Sequence, residues 1–179
     1  MNSVKVFSPA SVSNVCCGFD VLGFSIDGLG DEIIIHKSDL KGVRINNIFG
    51  HKVPIEAKEN TATVAAQSLL DYLNVDQGFD IEINKNIKPG SGIGSSAASA
   101  VGAVYGINKI LGNPLKKDQL LKFAMKGEFI SSKTAPADNV ASALYGGLIL
   151  VNNRENYNVV KLPVPKDLLA VVHHPLIEI

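Results

Sequence analysis

Pro89-Gly90-Ser91-Gly92-Ile93-Gly94-Ser95-Ser96-Ala97-Ala98 sets three alternating glycines and two serines ahead of a long Ala-rich segment. Glycine lets the backbone approach an anion closely. The unpaired N–H groups at a helix start, with the positive end of the helix dipole, then favour a phosphate there. Two familiar phosphate loops fail on detail. A P-loop needs a Lys and a Ser/Thr after its second glycine, and this stretch holds no Lys. A dinucleotide fingerprint needs G-x-G-x-x-G, whereas here G-x-G-x-G is followed by Ser-Ser. Two uses stay open for the Ser95 and Ser96 hydroxyls, helix capping and ligation of Mg²⁺.

Outward from this loop, alternation predicts a strand over 79–83, a polar, glycine-rich loop over 84–94 and a helix over 95–111 closed by Gly112 and Pro114. Lys85 and Lys88 flank the phosphate loop; help to a bound nucleotide is one reading of both, and solvated loop lysines the slightly preferred one. Upstream, strands are predicted over 4–8, 32–37 and 43–48, with Gly28, Gly30 and Gly42 at the turns. A helix over 61–73 starts at the N-cap Asn60 and turns Val64, Ala65, Leu69 and Tyr72 to one face. Downstream, a helix capped by Asp118 carries Leu121, Ala124 and Met125 inward. A short helix over 139–145 ends at Gly146-Gly147, and strands follow over 148–152, 159–162 and 169–173.

The 179 residues are 46% hydrophobic and 19% charged, which suits an ordinary folded domain and excludes disorder, collagen and coiled coil. Seventeen basic residues balance seventeen acidic ones without a basic block, so neither a nucleic acid nor a membrane is expected as partner. No run is long enough to span a bilayer, and residues 1–7 lack the layout of a signal peptide. A cytoplasmic location is expected. The adjacent Cys16 and Cys17 make a poor disulfide and a poor metal site, and none of His36, His51, His173 and His174 enters a ligand pattern.

The loop string resembles the phosphate loop of the GHMP kinase superfamily, Pro-x-x-x-Gly-Leu-Gly-Ser-Ser-Ala, with Ile93 in place of Leu. Two further segments are similar to the homoserine kinase branch. One is Pro9-Ala10-Ser11-Val12-Ser13-Asn14-Val15-Cys16-Cys17-Gly18-Phe19-Asp20. The other comprises Gly127-Glu128, Asp138-Asn139-Val140-Ala141 and Gly146-Gly147, with Glu59-Asn60-Thr61 at the first helix start. The resemblance implies an α+β fold of the ribosomal protein S5 domain 2-like type, the GHMP kinase N-terminal domain, over 1–162. Residues 163–179 would begin a ferredoxin-like C-terminal domain, most of it absent. It further implies ATP-dependent phosphorylation of L-homoserine to O-phospho-L-homoserine, in threonine biosynthesis. A different GHMP alcohol kinase and a non-catalytic nucleotide-binding fragment are the alternatives, and a homodimer is within what the family allows.

By the resemblance, residues Pro89, Gly90, Ser91, Gly92, Ile93, Gly94, Ser95, Ser96, Ala97 and Ala98 bind the ATP phosphates, and Ser96 and Glu128 hold Mg²⁺. Asn60 and Thr61 match residues near the nucleotide base, although helix capping explains them equally well. Asn14 and Asn139 address the reacting hydroxyl, and Asp20 is a counter-charge for the substrate ammonium. Counting back from Gly146-Gly147 favours Asn139 over Asp138 as the active-site residue. The family's usual His before Asp-Asn is replaced within Thr134-Ala135-Pro136-Ala137. No third glycine-rich motif follows Gly147, and His174-Pro175-Leu176-Ile177-Glu178-Ile179 resembles a strand leading toward an Arg-containing segment. With only Arg44 and Arg154 present, the clamp for a substrate carboxylate is expected on sequence beyond Ile179.

Overall fold

The computed structural model describes residues 1–132, 136–153 and 157–173. The strands are β1 (Ser3–Val15), β2 (Gly18–Ser38), β3 (Val43–Gly50), β4 (Gly78–Lys85), β5 (Leu148–Asn153) and β6 (Asn158–Leu162). The helices are α1 (Thr61–Leu73), α2 (Ser95–Ile110), α3 (Lys117–Ser131) and α4 (Ala137–Tyr145). One sheet runs β3-β4-β2-β5-β6, with β1 paired to β2. β3 and β4 are parallel, joined through α1, and the other pairs are antiparallel. Among the described residues no helix is long and apolar enough to cross a membrane.

β1 and β2 extend well beyond the expected 4–8 and 32–37. They form one long hairpin, from Ser3 opposite His36 to Val15 opposite Gly18. Pro9 faces Gly30 while Ser11 faces Ser25, so residues 26–29 have no partner on β1. The ladder to β1 is interrupted there. The later half of β2 pairs β4 and its earlier half β5, through Leu22–Phe24 opposite Leu150–Leu148. At the hairpin tip Asn14, Cys16 and Asp20 take φ of 57, 50 and 62, a region that Asn and Asp tolerate better than most residues.

α2 lies on β1 and β2, and α1, α3 and α4 pack around it. Ile33, Ile35, Phe79, Ile81 and Ile83 from the sheet meet Leu69, Leu70, Val104, Ile107, Leu120 and Phe123 from the helices. Asn60 caps α1 as expected, its Oδ1 accepting from Ala62 N at 2.9 Å. The buried face of α1 is broader than expected and includes Ala62, Ala66 and Leu70. Val64 is only half-buried. Tyr72 is 54% exposed and leans on Phe123 at the rim, where Lys122 covers its ring. Lys116, not Asp118, begins α3, with Gln119 accepting from its backbone N–H. Asp118 sits in the first turn, where its charge suits the dipole.

Residues 169–173 form no strand, against the expectation from their apolar run. Leu169 and Val171 are almost wholly exposed. A strand exists by pairing its N–H and C=O groups, and among the described residues none pairs with this segment. Thr134, Ala135, Arg154 and His174 to Ile179 lie outside the described residues.

Candidate functional site

The last residue of β4 and the first turn of α2 are bridged by the glycine-rich loop. Gly90, Gly92 and Gly94 all have positive φ, 72, 75 and 71, so the chain turns in a region that side chains oppose. Gly94 is the N-cap of α2 and has no side chain to satisfy the first N–H groups, which leaves that helix start available to an anion. Ser95 does not cap the helix. Its Oγ donates to Ile87 O at 2.9 Å and ties the helix start to the loop entrance. Ile93 and Ala98 pack with Ala10 and Ile87 in a small apolar cluster beneath the loop, and Ala97 lies in the main core. The N–H of Ala98 is taken by Gly94 O. Of the ten residues assigned to phosphate binding, these three have side chains packed inward, and Ala98 N–H is not free for a phosphate.

Pro89, Gly90, Ser91, Gly92, Gly94, Ser95 and Ser96 line a cleft of about 680 Å³, joined there by Asn60, Glu128, Asn14 and Asn139. Ser96 Oγ donates to Glu128 Oε1 at 2.8 Å. Glu128 Oε2 is buried without a hydrogen-bond partner among the described residues, as is Ser91 Oγ. Burial pushes the Glu128 carboxyl above the usual carboxylate range. The hydrogen bond from Ser96, the nearby Ser131 hydroxyl and the Lys85 charge oppose this, and the Asp138 charge adds to it. A buried carboxylate oxygen left without a partner, next to a hydroxyl, is a donor set suited to a hard cation.

β1 supplies the opposite wall. Ser11 and Ser13 alternate along the strand and hold both ends of the Asn139 amide. Ser11 Oγ donates to Oδ1 at 2.9 Å, and Nδ2 donates to Ser13 Oγ at 3.0 Å. Asn14 Oδ1 accepts from Asp20 N at 2.9 Å, which fixes the hairpin tip. Asp20 itself is not among the cleft-lining residues and is tied to the site through Asn14. Asn60 lines the cleft, but both ends of its amide are used, by Ala62 N and by Pro54 O. Its observed contacts are those of a cap.

Residues 60–147 match the family model described as the GHMP kinases N terminal domain. A solved homoserine kinase from Cytophaga hutchinsonii is 51% identical with a TM-score of 0.87, covering 92% of this chain and 53% of that one. The chain has the fold of the GHMP kinase N-terminal domain. The homoserine kinase of Chlorobium phaeovibrioides is 36% identical over 191 residues, spanning all of this chain and 60% of that protein. A mevalonate kinase from Methanococcus jannaschii shares 21% identity with a TM-score of 0.68, covering 90% of this chain and 56% of that one, a likeness of fold alone. The chain spans about 60% of the length of the first curated relatives it matches.

Two charged residues of this domain are buried in a way the sequence does not reveal. Lys85, read as a solvated loop lysine, closes β4 and is 1% exposed, paired with the fully buried Asp31. Asp138 is also fully buried. Its Oδ1 accepts from Asn139 N at 2.9 Å and its Oδ2 from Asn14 N at 3.4 Å, so it joins the start of α4 to the hairpin tip. Burial raises its carboxyl above the ordinary range, those N–H donors oppose the rise, and the Asp20 charge adds to it.

Proposed function

We propose that this domain carries the nucleotide site and part of the acceptor site of an ATP-dependent kinase that phosphorylates the hydroxyl of L-homoserine. The observation that carries this reading is the meeting in one cleft of an uncapped helix start, the Ser96–Glu128 pair and the Asn14 and Asn139 amides. Phosphoryl transfer leaves a protein little covalent chemistry, so positioning and charge neutralisation dominate. The N–H groups at the start of α2 take phosphate oxygens. Ser96 Oγ and Glu128 are the groups that would hold Mg²⁺, and the unpartnered Oε2 fits that use. When bound, the ion draws negative charge from the phosphates and fixes their orientation.

On the acceptor side, Asn139 keeps one amide hydrogen and one lone pair beyond those used by the serines, enough to orient a hydroxyl. Asn14 addresses the same hydroxyl, and Asp20 balances the ammonium of the amino acid. Asp138 has no exposure through which to take a proton, and its oxygens already hold backbone N–H groups. It acts as an anchor for Asn14 and Asn139. Accordingly, Asn139→Ala is expected to cut homoserine turnover about tenfold more than Asp138→Asn does, the worth of roughly 1.4 kcal/mol of lost hydrogen bonding. Asp138→Asn should instead lower the melting temperature. Equal turnover of Asn139→Ala and wild type removes the assignment.

The test of the whole reading is ADP release by the intact protein with Mg·ATP and a panel of homoserine, mevalonate and galactose. Turnover confined to homoserine is expected. Turnover with mevalonate or galactose alone, or nucleotide binding without turnover of any alcohol, overturns it.

A further inference from the structure

Asp31 lies in phase with Ile33 and Ile35 along β2, and Lys85 lies in phase with Phe79, Ile81 and Ile83 along β4, so both project into the core on neighbouring strands. Lys85 Nζ donates to Asp31 Oδ2, to Ser95 O at 2.6 Å and to Ser99 Oγ at 2.9 Å, which uses all three of its hydrogens. Asp31 Oδ1 accepts from Asn86 N at 2.9 Å and Ile87 N at 3.0 Å. The contacts divide by place. Asp31 holds the segment that enters the phosphate loop, and Lys85 holds the first turn of the helix that leaves it.

Burying two charges is costly, and an apolar pair of similar size would commonly fill a core at least as well. Burial indeed draws the Lys85 ammonium below its ordinary range, with the Asp31 charge holding against it. What an apolar pair cannot do is bind two N–H groups on one side of a glycine-rich loop and a carbonyl and a hydroxyl on the other. Three glycines at positive φ leave that loop large freedom unless its ends are fixed.

We propose that Lys85 and Asp31 are positioning residues for the phosphate loop, a buried staple that fixes the separation of its two ends and thereby sets the affinity for the phosphates of a nucleotide. The proposal rests on the reading of the cleft as a nucleotide site. Neither residue needs to touch the nucleotide.

The test compares wild type with Lys85→Met/Asp31→Asn in the intact protein. That pair carries no charge, and it keeps an oxygen for the Asn86 and Ile87 N–H groups. Mg·ATP and ADP binding is measured by calorimetry, with KM for ATP and for the alcohol determined separately. A rise of tenfold or more in the nucleotide Kd and in KM for ATP is expected, with KM for the alcohol unchanged. Where the double variant does not fold, Asp31→Asn alone is used, with amide hydrogen exchange as readout; residues 90–96 are then expected to exchange at least tenfold faster while β2 and β4 keep their protection. Wild-type nucleotide affinity in the folded double variant, or unchanged loop exchange in Asp31→Asn, overturns the proposal and leaves the reading of the cleft intact. Absence of nucleotide binding by wild type overturns both.

Discussion

The Glu128→Gln protein is expected to lose roughly 10²–10³-fold in kcat/KM with Mg·ATP while melting no lower than wild type in the absence of nucleotide. Glutamine can still accept the Ser96 hydrogen bond, so the local packing survives. It lacks the negative charge that a cation requires. The stability effect has the opposite sign. Burial places the Glu128 carboxyl above its ordinary range, so the native state holds that proton more tightly than the unfolded chain does. The ionised side chain therefore costs stability above the folded-state pKa, and the cost vanishes below the unfolded value. Glutamine removes the cost at neutral pH, and its advantage in melting temperature should shrink as the pH falls from the raised folded-state pKa to the ordinary glutamate value. Thermal melts at neutral and acid pH beside the kinetics check this. A variant that is active, or that melts lower at neutral pH, would show Glu128 to be a structural partner of Ser96 alone.

Gly94→Ala is expected to reduce turnover about 100-fold and to destabilise the protein by more than the ~1–2 kcal/mol that a left-handed backbone costs an ordinary residue. At φ 71, an added Cβ overlaps Ser11 Oγ and stands 3.2 Å from Asn139 Oδ1. Ser11 would have to move, and with it the hydrogen bond that orients Asn139. One methyl group thus disturbs the helix start and the acceptor side together. At Gly92, where φ is 75, nothing lies within 4 Å of an added Cβ. Gly92→Ala should carry only the backbone strain and a weaker hold on nucleotide. Melting temperature and separate KM values for ATP and alcohol distinguish the two, and equal effects at both positions would sever the link through Ser11.

What the sequence makes legible here is local. The bounds of α1 follow from an Asn whose own side chain caps the helix two residues on, and the loop glycines mark their turns without help from distant residues. The hairpin is different. Residues 9–14 include Pro and three polar side chains, and only pairing with the long strand β2, across an irregularity in register, makes them extended. The Lys85–Asp31 staple was hidden for a related reason, since a lysine before a polar loop looks solvated. Its trace lies in parity: opposite charges at positions in phase with buried Ile residues on two strands. The apolar run at 169–173 shows the converse, because hydrophobicity without a pairing partner leaves no strand.

α2 also carries two small residues one turn apart on the face it turns to the sheet. A Cβ at Gly102 would stand 2.5 Å from Ile33 Cγ1, and one at Gly106 would stand 2.5 Å from Ile35 Cδ1. The helix therefore rides lower over β1 and β2 than one with side chains at these positions could. Under the proposed function its first turn receives the phosphates, and β1 presents the serines that hold Asn139, so the thickness of that contact would set the gap between phosphate donor and acceptor. Gly102 lies about 12 Å along the helix from Gly94, at 1.5 Å per residue. On that reading the domain contains a gauge block: bulk added well away from the cleft would lift one wall of it relative to the other, and the reach of the proposed transfer would be set by a helix–sheet contact distant from it.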